Sequence, residues 1–420
     1  MAKIGIYGGS FNPPHLGHIR AAEQTRRLLG LDRVILVPDA IPPHKRLPEG
    51  SPDAQTRLRL VQLAAQDAEG LEVSDIELRR SGPSYTVDTL REFHAQYPQD
   101  ELFLLMGTDM FQCFDQWRGP EQIAQMARIV CMYRTQTGDA LAQTLHQNFN
   151  DAVQARQFEK SLGCRTVFAE NQALELSSTQ VRRLLFFGCG ADRVPEAVMA
   201  EIERLGLYGL GSSHRGLDMR RLEQTCRPLY KPQRWIHAGG CSRTAAALAR
   251  KYGADETAAA RAGILHDMTK ALTPEQQAQF CRRYALEITQ DEQISPELLH
   301  AKTAAYAAEH IFGEAPEICG AIRWHTTGRP DMTTLEKIIY IADYMEPSRD
   351  FPGVEALREM AQLDLDGAVL LALEQTLRHL QALGRPAAGD SEEARKFLLR
   401  NGVSLDEILR RKKKTDPSAK

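Results

Sequence analysis

The chain changes its pattern of hydrophobic residues near its middle, and this change limits the folds open to it. From Lys3 to about Gly188, short apolar runs typical of strands alternate with segments of helical periodicity. From Leu217 to about Leu383, helical periodicity continues without a convincing strand. Because 420 residues exceed what one hydrophobic core usually serves, the change predicts two domains. The predicted division is a first domain over 1–208, a linker over 209–216, a helical domain over 217–385, and a C-terminal helical extension with a basic tail over 386–420.

The first domain is expected to be an α/β fold with a doubly wound, Rossmann-like sheet. Alternating strands and helices imply a mostly parallel sheet, and a ligand then lies beyond the carboxyl ends of the strands. The second domain is expected to be all-α. Predicted strands are KIGIY, RVILVP, LEVSDIE, ELFLLMG and RIVCMY, and predicted helices of the first domain are HIRAAEQTRRLLG, SPDAQTRLRLVQLAAQDAEG and TVDTLREFHAQY.

Composition argues against several classes of protein. A formal net charge of -3 gives no general reason to expect a nucleic acid or a membrane as partner. The eight cysteines have no CxxC spacing, which argues against a disulfide framework or a thiolate zinc site. The start MAKIGIYGG lacks the features of a signal peptide, and no apolar run approaches the roughly 20 residues of a membrane span. We therefore expect a cytoplasmic protein with reduced thiols.

Residues 8–18, GGSFNPPHLGH, follow the first predicted strand and lead into a helix. The glycines allow the backbone to approach a ligand closely, and Pro13 and Pro14 stiffen the loop. Amide groups at the start of the helix, together with His15 and His18, suit a phosphate group. An HxxH pair can also bind a metal, but no third ligand is near in sequence. The pattern favours a phosphate site.

The loop resembles the signature of nucleotidyltransferases that carry a (T/H)xGH motif. The segment SSTQVR at residues 177–182 resembles a second element of that family, SSTxxR. PDAIPPHK, SYTVDTL and MGTDMFQCFDQW are further similar, in order, to segments of bacterial nicotinate-nucleotide adenylyltransferases. The resemblance covers about residues 3–208. It departs from the family where the usual Arg-Pro-Gly reads Arg134-Thr135-Gln136.

This resemblance implies adenylyl transfer from ATP to nicotinate mononucleotide, giving deamido-NAD and pyrophosphate with magnesium as cofactor. No protein nucleophile is needed, because the mononucleotide phosphate attacks the α-phosphorus itself. His15, His18 and Lys45 are the expected catalytic residues. Another phosphate acceptor, such as phosphopantetheine, is the alternative. The expected ATP contacts are Gly8, Gly9, Ser10, Phe11, Arg134, Ser178, Thr179 and Arg182, and the expected mononucleotide contacts are Lys45, Tyr85, Thr86, Asp109 and Trp117.

Two of these residues also fit purely structural roles. Trp117, taken alone, is more often a core residue than a surface on which the pyridine ring stacks, and only its place in the family segment favours stacking. Asp109 follows Gly107 and Thr108 ahead of a helical run and could equally cap that helix.

In the helical domain, histidines and an aspartate lie on the apolar faces of several helices. A single buried histidine is usually satisfied by a hydrogen bond, but an unpaired carboxylate within IIYIADY would be costly. Several imidazoles and carboxylates on different helices are better explained by bound metal. The shared faces are Cys241, Ala245 and Leu248 with His237; Ala304, Ala307 and Ile311 with His300; Ile318, Ala321 and Ile322 with His325; and Ile339 and Tyr340 with Asp343.

The adjacent pair His266 and Asp267 gives this half a resemblance to HD-domain metal-dependent phosphohydrolases. HDMTK, HTTG and IADYMEPSR are most similar to bacterial symmetrical diadenosine-tetraphosphate hydrolases over about residues 222–384. The resemblance implies two metal ions, iron or else manganese, bridged by Asp267, and hydrolysis to two ADP. Lys270 and Arg349 are either phosphate contacts or ordinary surface charges. The expected ligands are His237, His266, Asp267, His300, His325 and Asp343.

Two readings of the helical half stay open at this stage. It is either a hydrolase of diadenosine tetraphosphate or another nucleotide, or a metal-bound sensing module that governs the transferase. A full set of six ligands around an open phosphate site favours hydrolysis.

Overall fold

The computed structural model describes residues 1–44, 46–134, 152–171 and 176–415. The chain divides into two compact units, Met1–Gly211 and Ser212–Lys420. Among the described residues, no helix combines the length and the apolar character needed to cross a membrane.

The first unit contains a six-stranded, fully parallel sheet of order β3-β2-β1-β4-β5-β6, so the doubly wound fold is confirmed. Helices connect the strands, as parallel pairing requires. The strands are β1 Lys3–Gly9, β2 Arg33–Pro38, β3 Leu71–Val73, β4 Glu101–Gly107, β5 Arg128–Arg134 and β6 Thr166–Asn171; the helices are α1 Leu16–Leu29, α2 Ala54–Ala65, α3 Thr86–Gln96, α4 Thr108–Gln112, α5 Pro120–Met126, α6 over residues 152–162, α7 Ser178–Phe186 and α8 Glu196–Leu205.

Both faces of this sheet are buried, which explains the near-continuous apolar runs of its strands. In β2, Val34 and Leu36 belong to one hydrophobic cluster, whereas Ile35 and Val37 belong to the other. The order of the strands reverses between β1 and β4, and the loop after β1 leaves the sheet at this point. A crevice at such a reversal is the expected ligand site of a doubly wound sheet.

Two strand predictions need correction. β6 was missed. The strand predicted over LEVSDIE ends at Val73, because the chain then turns: the amide of Leu78 donates a hydrogen bond to the Asp75 carbonyl oxygen (2.8 Å). The turn still buries Ile76, which is why the apolar pattern looked like a longer strand.

The second unit is helical throughout its described length, as expected. The longest helix, α10, packs against both α11 and α16, and α15 packs against α14 and α16. The helices are α9 Met219–Cys226, α10 Pro232–Tyr252, α11 Glu256–Leu265, α12 Pro274–Arg283, α13 Gln290–Ile294, α14 Leu299–Ala307 (continued by a π turn over Ala308–Phe312), α15 Pro316–Trp324, α16 Thr334–Met345, α17 Val354–Leu363, α18 Leu365–Ala382, α19 Gly389–Arg400 and α20 Leu405–Thr415.

The crossing of α10 and α11 depends on Gly263. A Cβ atom at this position would lie 2.6 Å from the Cα atom of Ser242 and 2.7 Å from its nitrogen, both in the backbone of α10. Backbone atoms cannot move aside as a flexible side chain can, so the two helices would have to separate.

Replacing Gly263 with alanine should therefore destabilise the helical unit by about 1–3 kcal/mol through overpacking. Gly239→Ala is the matched control within α10, since its Cβ would meet only the end of the Arg243 side chain at 3.4 Å. That change should be neutral or stabilise by up to about 1 kcal/mol. Chemical denaturation of the full chain measures both, and equal unfolding midpoints for the two variants would contradict this view of the crossing.

Candidate active sites

In the first unit, the loop after β1 and the start of α7 meet, although 165 residues separate Pro13 from Ser178. Ser178 Oγ donates a hydrogen bond to the Pro13 carbonyl oxygen (3.1 Å), and Arg182 Nη1 donates to the Asn12 carbonyl oxygen (2.6 Å). Ser177 caps α7 with its side chain, which fixes where that helix begins. The two sequence motifs thus form one site where α1 and α7 start.

Arg182 is held in a fixed orientation at this site. Its second guanidinium nitrogen donates to Thr179 Oγ1 at 3.0 Å, one turn earlier in α7. Burial lowers the pKa of Arg182, but an arginine begins so far above neutrality that it stays charged. Two helix N-termini and an oriented cation make a favourable environment for phosphate groups.

His15 and His18 stack on each other, with ring centroids 3.6 Å apart and planes 23° from parallel. His15 is 2% exposed, whereas His18 is half-buried. The backbone amide of His15 donates to His18 Nδ1 at 3.2 Å, so this nitrogen carries no proton. A neutral His18 therefore carries its proton on Nε2, which can donate to an anion.

The residues preceding these histidines differ in what they can offer a ligand. Neither Gly8 nor Gly9 has a positive φ, and a Cβ at Gly8 would meet no described atom within 4 Å. Neither the backbone conformation nor packing within the protein requires a glycine at position 8. A ligand that approaches the backbone closely would require one. Phe11 is buried at φ 43°, a strained conformation for this residue type.

Arg57 was not expected from the sequence, yet it holds this site together. Its guanidinium donates to the carbonyl oxygens of Ser10 (2.8 Å), Asp39 (2.7 Å) and Ala40 (3.2 Å) and pairs with Asp39 Oδ1 at 2.8 Å. Ser10 Oγ also donates to Asp39 Oδ2 (2.6 Å), so the Ser10 hydroxyl faces the protein. Arg57 is 1% exposed. It thereby ties the loop after β1 to the loop after β2.

A signal for Arg57 was present in the sequence. Leu60, Val61 and Ala64 follow it by three, four and seven residues, so the arginine lies on the apolar face of α2. A charge in that position must find buried partners.

The expected mononucleotide contacts lie at the starts of α3 and α4 and in the segment that follows. Tyr85 is the N-cap residue of α3 and Thr86 its first residue. Asp109 is in the first turn of α4, but Gly107 occupies the N-cap position, so the reading of Asp109 as the cap is wrong. Trp117 is half-buried against Phe114, with ring centroids 5.7 Å apart.

Trp117 is partly exposed. It is therefore neither fully buried, as a core residue would be, nor fully open for a ring to stack on it. Its Nε1 is buried and has no hydrogen-bond partner among the described residues. The His44 ring lies 6.0 Å from it, and Arg118 lies 4.5 Å from the Tyr85 ring. Lys45 lies outside the described residues, and Arg134 is described only as backbone at the end of β5.

Arg57→Ala should lower the free energy of unfolding by about 3–5 kcal/mol, because it leaves the carboxylate of Asp39 without its cation. Arg59→Ala, two residues along α2 and exposed, is the matched control and should change stability by less than about 0.5 kcal/mol. Adding Asp39→Asn to Arg57→Ala should recover part of the loss. Hydrogen exchange of residues 8–18 measured in each variant tests the link, and unchanged protection in Arg57→Ala would refute it.

In the second unit, the six residues expected to bind metal converge in one buried cluster. They come from five helices or helix ends, which α10, α11, α14, α15 and α16 bring together. His237 lies in α10, His266 and Asp267 directly follow α11, His300 lies in α14, His325 follows α15, and Asp343 lies in α16.

Asp267 lies between two pairs of histidines. Nε2 of His237 and Nε2 of His266 are 3.3 Å apart, and Nε2 of His300 and Nε2 of His325 are 3.1 Å apart. Oδ2 of Asp267 is 3.8 and 3.5 Å from the first pair, and Oδ1 is 3.2 and 3.6 Å from the second pair. Each carboxylate oxygen thus faces its own pair, which is the arrangement of a bridging ligand.

All four histidines present Nε2 to the centre of the cluster, because Nδ1 is engaged elsewhere. A ring that donates through Nδ1 keeps a lone pair on Nε2, and this is the form in which a histidine binds metal. The acceptors for Nδ1 are Gly263 O for His266 (2.8 Å), Ile322 O for His325 (2.7 Å), Glu297 O for His300 and Glu346 Oε1 for His237 (3.0 Å).

The histidine Nε2 atoms and the carboxylate oxygens of the cluster would interact more favourably with a bound metal than with each other. Two Nε2 lone pairs 3.1 Å apart repel each other unless a cation lies between them. Oδ1 of Asp267 is buried without a hydrogen-bond donor among the described residues, a costly state for a carboxylate. His237 Nε2 also lies 3.0 Å from Asp343 Oδ1. A set of imidazole nitrogens and carboxylate oxygens fits iron, manganese or zinc.

Protonation favours the same conclusion. Burial lowers the pKa of His266 to about 4, so its ring is neutral at physiological pH. Burial opposes ionisation of Asp267, but the positive charge of Lys270 counters burial, and the pKa of Asp267 lies well below its usual value. The pKa of Asp343 is likewise held well below its usual value: burial opposes this, and the positive charge of Arg349 counters burial. A neutral His266 and ionised Asp267 and Asp343 are the forms in which these side chains bind metal.

Glu346 was missed by sequence reasoning, although it orients His237 from behind. It is 1% exposed and accepts hydrogen bonds from His237 and from the backbone of Ser348 (2.9 Å). Gly240 makes room for it, since a Cβ there would lie 2.2 Å from Glu346 Oε2. Glu346 directly follows α16 and lies three residues after Asp343, so both are on the same face of the helix. This spacing was the signal in the sequence that could have identified Glu346.

Three cations surround the cluster. Lys270 Nζ is 3.0 Å from His300 Nε2, and Arg349 donates to the carbonyl oxygen (2.7 Å) and the carboxylate of Asp343. Arg234, which was not expected, pairs with Asp267 Oδ2 at 3.0 Å. Each is roughly one third exposed, so it can reach a ligand at the mouth of the cluster.

The fold and the two clusters define a nucleotidyltransferase domain followed by an HD domain, and comparison with known families agrees. Residues 6–184 match the Cytidylyltransferase-like family, and residues 234–348 match the HD domain family. A probable nicotinate-nucleotide adenylyltransferase of Citrifermentans bemidjiense is 36% identical over 212 residues, which make up 49% of this chain and 98% of that protein. The corresponding protein of Pseudomonas syringae is 39% identical, with 49% and 93% covered. The chain belongs, in its first half, to the nicotinate-nucleotide adenylyltransferase family.

The second half has a relative among solved structures. A predicted HD superfamily hydrolase involved in NAD metabolism from Clostridium acetobutylicum is 33% identical, covering 44% of this chain and 98% of that one, with a TM-score of 0.43. The family matches thus place an adenylyltransferase-family half before an HD domain in one chain.

Proposed function

We propose that the chain is a bifunctional enzyme. Its first half transfers an adenylyl group from ATP to nicotinate mononucleotide, and its second half hydrolyses diadenosine tetraphosphate to two ADP with bound metal. The observation that supports the first activity is the hydrogen-bonded meeting of the loop after β1 with the start of α7. The observation that supports the second is the convergence of four Nε2 atoms on Asp267.

For the transferase, the mononucleotide phosphate attacks the α-phosphorus of ATP, and pyrophosphate leaves. Negative charge shifts toward the leaving group, so donors placed there lower the barrier. His18 Nε2 and the guanidinium of Arg182 are such donors, with magnesium sharing the charge of the phosphates. Arg57 positions Ser10, which directly follows Gly8 and Gly9, against Asp39 and Ala40. Tyr85, Thr86, Asp109 and Trp117 are proposed to hold the mononucleotide, together with Lys45.

Full-length protein with ATP, magnesium and nicotinate mononucleotide should form deamido-NAD, separated by chromatography. His18→Ala should lower kcat by about 10²–10³, as expected for the loss of one donor to developing charge. His94→Ala is the control, because His94 is exposed in the last turn of α3. Turnover with phosphopantetheine but none with the mononucleotide or its amide would establish a different acceptor.

For the hydrolase, His237, His266, Asp267 and Asp343 would hold one metal, and His300, His325 and Asp267 the other. Bound metals of this kind activate water and neutralise phosphate oxygens. The chain's own residues supply the rest: Glu346 orients His237, while Lys270, Arg349 and Arg234 offer positive charge to a polyphosphate. One water added across the central phosphoanhydride gives two ADP.

Full-length protein loaded anaerobically with iron or manganese should release ADP as the sole nucleotide product of diadenosine tetraphosphate. Asp267→Ala should lose both metal and activity, because the two histidine pairs share this one carboxylate. Glu309→Ala, an exposed carboxylate of the same half, should retain both. Metal bound without hydrolysis of this or any other nucleotide would instead favour a sensing module.

A further inference from the structure

Cys241 lies inside the metal cluster, on the same face of α10 as His237 and one turn after it. It is 1% exposed, and its Sγ is 3.5 Å from His237 Nε2. One candidate ligand atom from each of Cys241, His237, His266 and Asp343 lies within 4.8 Å of the others. We propose that Cys241 is a sulfur ligand of the metal that His237, His266 and Asp343 hold. This inference rests on the proposed metal centre.

The distances are those expected of donor atoms that share a metal. Metal bonds of about 2.3 Å to sulfur and about 2.1 Å to nitrogen, at angles of roughly 90–110°, place the two donor atoms about 3.1–3.6 Å apart. The Sγ–Nε2 distance of 3.5 Å lies within this range. Two nitrogen donors at the same angles lie about 3.0–3.4 Å apart, and Nε2 of His237 and Nε2 of His266 are 3.3 Å apart.

The other contacts of Cys241 leave its sulfur able to turn toward a metal. Its one hydrogen-bond acceptor apart from His237, among the described residues, is the Ala342 carbonyl oxygen at 3.7 Å, a long and weak contact. Coordination replaces the S–H bond with a metal–sulfur bond and releases the thiol proton to solvent. The cysteine spacing along the chain excludes an all-thiolate site, but it does not bear on one thiolate among imidazoles.

A sulfur donor changes which metals the site prefers. Thiolate is a soft ligand that favours zinc, iron and cobalt, whereas carboxylate and water favour manganese and magnesium. The cluster should therefore discriminate between these two groups of metals more strongly than its nitrogen and oxygen donors alone would.

Cobalt(II) added to metal-free, full-length protein tests this directly, because a thiolate bound to cobalt produces a charge-transfer band in the near ultraviolet. The wild type and Cys319→Ser should show the band, since Cys319 Sγ instead contacts the Glu314 carbonyl oxygen at 3.6 Å. Cys241→Ser and Cys241→Ala should bind cobalt without it. The affinity of Cys241→Ala for zinc should fall at least about tenfold, while its affinity for manganese should change little.

The measurement on the wild type can overturn the inference by itself, so the test does not depend on whether the variants fold. Cobalt bound without the band would exclude Cys241 as a ligand and leave the metal centre intact. Persistence of the band in Cys241→Ala would do the same. Absence of any cobalt binding would overturn the metal centre and, with it, this inference.

Discussion

The close crossing of α10 and α11 is the constraint on which the helical half depends. Gly263 brings the two backbones together, and the crossing then sets His237 of α10 3.3 Å from His266, which follows α11. Asp267 is carried to the centre as the next residue. Gly240 on α10 admits Glu346 from the far side. Two glycines thus help to position His237, His266 and Asp267 before any metal–ligand bond contributes.

In the first half, buried arginines rather than glycines bring the segments of the site together. Its site joins loops that follow β1 and β2 to the start of α7, three segments far apart in the chain. Arg57 holds the first two and Arg182 holds the loop after β1 to α7. Arg57 donates to three backbone carbonyl oxygens, and Arg182 donates to one. The loops are therefore set in place before a substrate arrives.

The sequence predicted the fold class and the segments of both sites because those properties leave local patterns. Strand and helix periodicity identified the doubly wound sheet, and the buried position of Asp343 within an apolar helix pointed to metal. The residues that the sequence did not predict act through tertiary contacts. Asp39, Arg57 and Glu346 act on partners 18 to 109 residues away, and nothing local requires those pairings. β6 was missed because its apolar run is short and follows a stretch without clear periodicity.

The two histidine clusters differ in tautomer, and the local backbone explains why. His18 lies in the first turn of α1, where the amide of His15 donates to Nδ1, so the proton is left on Nε2. His266 and His325 lie at the ends of helices, where carbonyl oxygens three residues earlier are free to accept, so Nδ1 donates and Nε2 keeps its lone pair. The amide that precedes α1 thereby leaves His18 with a proton donor suited to an anion, whereas the carbonyl oxygens that precede His266, His300 and His325 leave each of these rings with a lone pair suited to a cation. The backbone group that Nδ1 meets directs the side chain toward phosphate in one half and toward metal in the other.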